Sequence, residues 1–242
     1  MRIAILGGSF NPLHVGHTML AETMVKEYGY TKVLFVPTCI PPHKEIKDGA
    51  TTVQRLEMLK EFCYSEGRGR FEVEDCEIRR GGVSYTYDTL CYILDVCRNV
   101  IEGKPALLMG QEIAAEFDKW KNPDLIAKMA DIFIVPRYPD YATLKMKFCK
   151  NADSSGGLDG LADLAGHKNQ PTGDYKGDFS IDFDEKSFKY PHTLLKEPML
   201  PVSSTEIRAR IANNQGFRYL VPQAVFKYIL NNDLYKEKSN KN

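Results

Sequence analysis

A strand, a glycine-rich turn and a helix open the chain, and this succession constrains the fold more than any other stretch. Residues 2–6 are a short, mainly apolar run suited to a buried parallel strand, and from Thr18 apolar residues recur every four positions, as on one helix face. Gly29 is placed to cap that helix. Residues 7–17 then lie at a helix N-terminus, where backbone N–H groups and the positive end of the helix dipole attract an anion. We therefore expect a phosphate at this turn.

The turn carries two histidines in place of a standard phosphate fingerprint. No lysine follows at G-x-x-x-x-G-K-[ST] spacing, and no G-x-G-x-x-G occurs. His14 lies in the turn and His17 near the first helical turn, so both imidazoles can donate hydrogen bonds to a phosphate. On these residues alone, a structural histidine pair or a metal site fits as well, since His-x-x-His can chelate a metal.

Two stretches of the sequence carry a family resemblance. Residues 7–17, Gly-Gly-Ser-Phe-Asn-Pro-Leu-His-Val-Gly-His, resemble the opening motif of the H-x-G-H nucleotidyltransferases, and within them of the nicotinate mononucleotide adenylyltransferases, with Asn11 where aspartate is commoner. Residues 202–208, Val-Ser-Ser-Thr-Glu-Ile-Arg, are similar to that family's I-S-S-T-x-I-R signature. Ser203 and Glu206 also have the spacing of a capping box, which independently predicts a second helix N-terminus near phosphate.

The resemblance assigns roles on the donor side of the reaction. It implies phosphate contacts from His14, His17 and Arg208, and from Lys44 in Pro41-Pro42-His43-Lys44, a pattern similar to the family's at the end of the second strand. It implies that ATP binds against Gly7, Gly8, Ser9, Phe10, Gly16, Ser203 and Ser204.

A third stretch of the sequence indicates which residues bind the acceptor. Residues 84–90, Ser-Tyr-Thr-Tyr-Asp-Thr-Leu, resemble the family's S-Y-T-x-D-T-L pattern, in which a helix start receives the nicotinate carboxylate. We expect Thr86 to cap that helix, and Asp88 and Thr89 to be structural. The resemblance implies acceptor contacts from Tyr85, Thr86, Glu112, Trp120 and Arg137.

Three of these acceptor residues have alternative interpretations. The family commonly has G-x-D where this chain has Gly110-Gln111-Glu112, so the acid lies one methylene further out. Trp120, the only tryptophan, fits ring stacking on the pyridine or an ordinary packing role. Arg137 fits a substrate contact or a structural ion pair.

Strand and helix patterns predict the architecture. Apolar runs at residues 32–37, 71–78, 105–110 and 131–135, separated by helical patterns, predict an α/β doubly wound, Rossmann-like parallel sheet with helices on both faces. We expect one nucleotidyltransferase domain over residues 1–242, with a surface insertion at about 138–190, where Leu158, Leu161 and Leu164 suggest a short helix, and a C-terminal helical segment at about 203–236. Arg55 is expected to be a solvated helix charge, and His167 and His192 to be bystanders.

Composition limits the partners and the location. The 242 residues carry 32 basic and 32 acidic side chains, so no global field favours nucleic acid or an anionic membrane. No charged leader with a long apolar core opens the chain, and no apolar run approaches the roughly 20 residues that span a bilayer. The six cysteines form no C-x-x-C and are expected to be buried thiols. These features predict a cytoplasmic protein without nucleic-acid or membrane partners; a homo-oligomer remains open.

The resemblance implies transfer of AMP from ATP to nicotinate mononucleotide, giving deamido-NAD and pyrophosphate, with Mg²⁺ held mainly by the ATP phosphates and no protein metal site. Alternatives are a related transferase acting on nicotinamide mononucleotide, phosphopantetheine or a polyol phosphate, a non-catalytic nucleotide-binding module, and a histidine-based metallohydrolase. The last has little support, because no further cluster of metal ligands lies near His14 in the sequence.

Overall fold

The structure, a computed structural model, describes residues 1–41, 49–136, 185–196, 200 and 202–236. Lys44, Arg137, His167 and the short leucine series at 158–164 lie outside these ranges.

A six-stranded parallel sheet forms the centre of the fold. Its strands are β1 (Ile3–Gly8), β2 (Lys32–Pro37), β3 (Phe71–Val73), β4 (Ala106–Gly110), β5 (Asp131–Val135) and β6 (His192–Leu194). The spatial order is β3-β2-β1-β4-β5-β6, and all five pairings are parallel. This is the doubly wound order, so the predicted fold class is confirmed.

Helices cover both faces of this sheet. They are α1 (Val15–Lys26), α2 (Thr52–Glu66), α3 (Cys76–Arg80), α4 (Thr86–Val96), α5 (Gln111–Ala114), α6 (Pro123–Met129), α7 (Ser204–Ala212) and α8 (Gln223–Asn231). Short 3-10 turns lie at Phe117–Lys119, Glu185–Ser187 and Arg218–Leu220.

Strand β1 is buried on both of its faces, which explains its nearly continuous apolar sequence. Ala4 and Leu6 pack in the core shared with α1, α2, α7 and α8, whereas Ile3 and Ile5 pack in the opposite core with α4 and α6. The sheet order reverses at β1, which pairs with β2 on one side and β4 on the other. In such sheets ligands bind at the carboxyl edge beside this reversal, where β1 ends at Gly8 and β4 at Gly110.

Two element boundaries differ from the sequence expectation. The predicted strand at 71–78 is wrong beyond Val73, because the Glu74 carboxylate accepts the Cys76 N–H at 2.9 Å and a short helix begins there. The first helix ends at Lys26, and Gly29, with φ of 68°, reverses the chain three residues later. The helical pattern between the second and third strands is confirmed as α2, which runs from Thr52 to Glu66.

The end of the expected surface insertion belongs to the core. Phe188 and Tyr190 are buried, and both rings lie against Phe117, with centroids 5.5 and 5.0 Å away. The 138–190 boundary therefore extends too far at its C-terminal end. His192 is a structural residue, whose Nδ1 lies 2.9 Å from the Tyr190 carbonyl.

The five described cysteines are free thiols, but they are not uniformly buried. Cys76 is buried, and Cys39, Cys63 and Cys97 are partly exposed. Cys91 is exposed, which contradicts the expectation for that residue. Burial raises the pKa of Cys63 and of Cys76 to about 12, so both remain neutral thiols near pH 7.

Phe35 links β2 to the turn that follows β1 and provides a test of the core. Its fully buried ring lies against the rings of Phe10, Phe62 and Phe71 at 5.7 to 5.8 Å. Phe35→Ala should lower the free energy of unfolding by about 3–5 kcal/mol, because it removes buried area and leaves a cavity. Denaturant titration measures this loss. Val53→Ala, at a position 61% exposed, should change stability by less than about 0.5 kcal/mol, and equal losses would contradict the packing described.

Candidate active site

The two histidines lie side by side at the start of α1. His14 is the N-cap residue and is buried, and His17 lies in the first turn, partly exposed. Their ring centroids are 3.7 Å apart, and the Phe10 ring packs edge-on against His17 at 5.0 Å. The predicted placement of both histidines at the turn and helix start is confirmed.

One hydrogen bond constrains the protonation of His17. Its Nδ1 accepts the backbone N–H of His14 at 3.3 Å. A neutral His17 in this geometry carries its proton on Nε2, because Nδ1 is an acceptor. The ring therefore presents an N–H donor, which suits a phosphate oxygen at a helix N-terminus.

The remaining donor-side residues of the turn follow β1 directly. Gly7 is exposed, with open space where a side chain would project, and Gly8 and Ser9 are partly exposed. Phe10 is buried, so it contributes its backbone and its packing rather than an exposed ring. At Gly16, a Cβ would lie 3.1 Å from His14 Nδ1, so glycine there lets the imidazole lie across the first helical turn.

The second predicted helix N-terminus docks onto the same turn. Ser203 caps α7 by accepting the Glu206 N–H at 3.1 Å, as expected. Ser204 Oγ donates to the Pro12 carbonyl at 2.8 Å, and Arg208 Nη1 donates to the Asn11 carbonyl at 2.8 Å. The structure thus brings both signature motifs together, although they are nearly 200 residues apart in the sequence.

Asn11, the departure from the family's aspartate, is a buried hydrogen-bonding centre. Its Oδ1 accepts the Ala50 N–H at 3.0 Å and the Tyr235 hydroxyl at 2.9 Å. Burial raises the pKa of Tyr235, so the hydroxyl stays protonated and remains a donor. Gly49 passes so close that a Cβ there would lie 2.5 Å from Asn11 Nδ2, and its φ of 118° also favours glycine.

Arg55 is a site residue that the sequence interpretation placed wrongly on the surface. It is 1% exposed, and its guanidinium donates to the Ser9 carbonyl at 2.6 Å and to the Thr38 carbonyl at 2.8 Å. Burial lowers the pKa of Arg55 from its usual high value, but arginine remains charged near neutral pH. The sequence did contain an indication of this burial, because Arg55 lies three and four residues before Met58 and Leu59 and so on the buried face of α2.

The acceptor-side helix α4 begins one residue earlier than expected. Tyr85 is the N-cap residue in extended conformation, and Thr86 is the first helical residue, so the assignment of Thr86 as the cap is wrong. Asp88 and Thr89 have structural partners, as expected: Lys121 Nζ lies 2.8 Å from Asp88 Oδ1, and Thr89 Oγ1 donates to Glu77 at 2.7 Å.

Glu112 and Trp120 lie after β4, beyond its carboxyl end. Glu112 is exposed on α5, which starts directly after Gly110. Trp120 is partly exposed, and its ring packs against Phe117 at 5.1 Å. This contact shows that the tryptophan has a packing role, and part of its surface stays accessible. Stacking on a substrate ring stays a prediction.

Glu77, which the sequence did not single out, is buried against the first turns of α4. It is 7% exposed and accepts the Thr89 hydroxyl. Burial raises its pKa above the ordinary value, although the hydroxyls of Thr89 and Ser84 and the charge of Arg80 act in the opposite direction. The local sequence offered no signal, because an acidic residue in a short charged stretch is typical of a surface.

The part of the chain that the structure describes offers neither a cluster of metal ligands nor a membrane-spanning helix. That part contains no group of three or more His, Cys, Asp or Glu side chains that could hold a metal ion. None of its helices is both long and apolar enough to cross a bilayer.

The fold and site define a class of protein. A doubly wound parallel sheet with a histidine-bearing turn and two helix N-termini at its carboxyl edge is an α/β nucleotide-binding architecture with a site for a polyphosphate. The cytidylyltransferase-like family model matches residues 5–210.

Sequence relatives identify a smaller group within this family. The chain is 33% identical over 240 residues to a probable nicotinate-nucleotide adenylyltransferase of Borreliella afzelii, covering 99% of this chain and 100% of the relative. It is 33% identical over 236 residues to one of Treponema pallidum, covering 98% and 100%. The chain belongs to the cytidylyltransferase-like family and, within it, to the nicotinate-nucleotide adenylyltransferases.

Solved structures support the fold. A Plasmodium falciparum nicotinic acid mononucleotide adenylyltransferase complexed with NaAD aligns with a TM-score of 0.65, at 17% identity and over 97% of each chain. A putative nicotinate-nucleotide adenylyltransferase from Vibrio parahaemolyticus aligns with a TM-score of 0.58 over 98% of each.

The buried carboxyl of Glu77 gives a pH-dependent test. Because its folded-state pKa lies above its unfolded value, the folded protein retains this proton more than the unfolded chain does once pH passes about 4.3, so the residue's contribution to stability falls as pH rises. Glu77→Gln lacks this titration. The stability of the variant relative to the unaltered chain should therefore increase as pH rises above about 4.

Denaturant titrations at several pH values measure that difference. Glu27→Gln, at an exposed side chain, is the control and should show a flat difference. A flat difference for Glu77→Gln as well would contradict the burial argument.

Proposed function

We propose that this protein transfers AMP from ATP to nicotinate mononucleotide, giving deamido-NAD and pyrophosphate. The observation that carries the proposal is the meeting of the two family signatures around one turn, through the bonds of Ser204 and Arg208 to residues 11–12. A cytidylyltransferase-like match over residues 5–210 and full-length relatives named for this activity support it.

The donor subsite lies at the start of α1. There the ATP phosphates meet the open side of Gly7, the partly exposed backbone of Gly8, the Nε2–H of His17 and the N-terminus of α7 at Ser203 and Ser204. Each group is a hydrogen-bond donor or the positive end of a helix dipole, so each gains energy as negative charge builds up on the transferring and leaving phosphates. His14 packs on His17 and fixes its orientation.

The reaction needs no protein nucleophile. The phosphate of the mononucleotide attacks the α-phosphate of ATP, and the bond to pyrophosphate breaks. The protein's contribution is then alignment of the two phosphates and stabilisation of charge. Arg208 acts at the base of the site, where one guanidinium nitrogen secures the Asn11 carbonyl.

The residues of the donor subsite fit a metal that arrives on the nucleotide. Imidazoles, an arginine and backbone N–H groups suit anions, and the residues proposed for this subsite include no carboxylate, the side-chain ligand that Mg²⁺ prefers. When bound, Mg²⁺ would neutralise charge on the ATP phosphates.

The acceptor subsite lies at the start of α4. A nicotinate carboxylate placed at Tyr85 and Thr86 meets backbone N–H groups and the positive end of an eleven-residue helix. Lys121 lies 5.1 Å from the centre of the Tyr85 ring and adds positive charge, partly offset by Asp88. Trp120 would stack on the pyridine ring, and Glu112 would contact the acceptor from α5.

Several assignments outside the described residues belong to the same proposal. Lys44 would face the phosphates, and Arg137 would contact the acceptor. The organisation of residues 1–242 as one domain, a cytoplasmic location and the formation of a homo-oligomer remain predictions.

Acceptor preference tests the proposed reaction. Pyrophosphate release from ATP and magnesium should be fastest with nicotinate mononucleotide and at least about tenfold slower with nicotinamide mononucleotide, because a neutral amide gains less at the start of α4. Phosphopantetheine should give only background release. Faster release with phosphopantetheine would contradict the assignment of Tyr85 and Thr86. If none of the three acceptors supports pyrophosphate release, the protein would instead be a binding module.

The role of His17 can be separated from a structural role. His17→Ala should lower kcat roughly 10²–10³-fold, as expected for loss of one donor to the transition state, while the melting temperature changes little. His192→Ala, in a histidine bonded to the Tyr190 carbonyl, is the matched control and should keep its activity. Normal turnover with lowered stability in His17→Ala would make the pair structural.

A further inference from the structure

A short stretch after β2 lies between the donor and acceptor subsites and is bonded to both. This connecting segment consists of residues 38–40. Its Thr38 N–H donates to the Gly8 carbonyl at 2.9 Å, and its Thr38 carbonyl accepts from Arg55 at 2.8 Å. Arg55 at the same time holds the Ser9 carbonyl at 2.6 Å. One buried guanidinium therefore joins the donor turn to the connecting segment.

The other side of the connecting segment is bonded to residues 83–84, which precede α4 on the acceptor side. The Cys39 N–H donates to Ser84 Oγ at 3.1 Å, and the Ser84 N–H donates to the Ile40 carbonyl at 2.9 Å. Ile40 and Val83 also form an isolated parallel bridge. Ser84 is buried and directly precedes Tyr85, the N-cap residue of α4.

Glu77 completes this second connection. Its carboxylate accepts the Thr89 hydroxyl at 2.7 Å, within the first turns of α4, and it also interacts with the side chains of Ser84 and Thr38. Arg80 adds a contact to Thr89 at 3.3 Å. A buried carboxyl group is thus held between the connecting segment and the start of α4.

We infer that Arg55 and Glu77 are positioning residues, which fix the distance between the two substrates through the connecting segment. Neither lies among the residues proposed to bind ATP or the mononucleotide. Both are buried, and both bond to groups that precede a substrate-binding helix or turn. The inference rests on the proposed function, because it concerns the alignment of the two phosphates in that reaction.

The chemistry of these two side chains fits such a role. The planar guanidinium holds carbonyl groups from two chain segments in a fixed geometry, which a lysine ammonium cannot reproduce. A displacement of about 1 Å in the attacking group can lower the rate about 10²-fold without removing any substrate contact. The signature of a positioning residue is therefore a fall in kcat with little change in either KM.

The experiment compares Arg55→Lys and Glu77→Gln with the unaltered full-length chain in pyrophosphate release, with ATP and nicotinate mononucleotide varied in turn. Each variant should lower kcat about tenfold or more, with both KM values within about threefold. Melting temperatures are measured on the same samples, and kcat is expressed per folded molecule.

Arg70→Lys and Glu22→Gln are the matched controls, because they make the same chemical changes in a pair 3.4 Å apart and more exposed. Both should keep kcat and KM. If Arg55→Lys does not fold, Glu77→Gln and Ser84→Ala decide the matter, since both changes are small and Ser84→Ala removes the acceptor for Cys39.

The outcomes separate the two proposals. No pyrophosphate release by the unaltered chain with any acceptor would overturn the proposed function and this inference with it. Release by the unaltered chain with unchanged kcat in the folded variants would overturn this inference alone. A rise in only one KM would also overturn it, because the residue would then serve one subsite.

Discussion

The site depends on how the backbone carbonyls of residues 9–12 are satisfied. Arg55, Arg208 and Ser204 donate to three of these carbonyls from α2 and α7, two distant parts of the chain. A buried carbonyl without a partner costs free energy, so these bonds allow a tight turn with little regular structure to lie in the interior. In a trans peptide the N–H points opposite to the carbonyl, so the bonds to the Ser9 and Pro12 carbonyls also determine which way the N–H groups of Phe10 and Leu13 point, whereas the Asn11 carbonyl precedes a proline, which has no N–H.

The sheet determines where this turn lies, and the helices determine its charge. Because β1 is buried on both faces and flanked by β2 and β4, the end of β1 lies at the centre of the carboxyl edge. Helices α1 and α7 both begin there, and their dipoles add at one place. The net charge of the chain is zero, so this positive end is a local feature rather than part of a basic surface.

Sequence patterns predicted the parts of the molecule that follow local rules. The parallel sheet, the helix capped by Ser203 and the placement of His17 near the first helical turn follow from periodicity and capping, and the structure confirms them. The burial of Arg55 was missed because a charged residue on a helix is usually solvated, and only its alignment with the buried face of α2 indicated otherwise. The contact between Asn11 and Tyr235 could not be predicted, since nothing local links residues so far apart.

That contact has a consequence for biosynthesis. Asn11 is synthesised well before Tyr235, which bonds its side-chain oxygen from 224 positions later. The β1–α1 unit can form early because its contacts are local, whereas the hydrogen bonds of the turn are complete only when α8 and the residues up to Tyr235 have been translated and docked. A chain interrupted after α7 would therefore display the signature motifs and the histidine pair while lacking a hydrogen bond that holds the turn. A chain that stops before Tyr235 thus differs from one that contains it at the histidine-bearing turn itself.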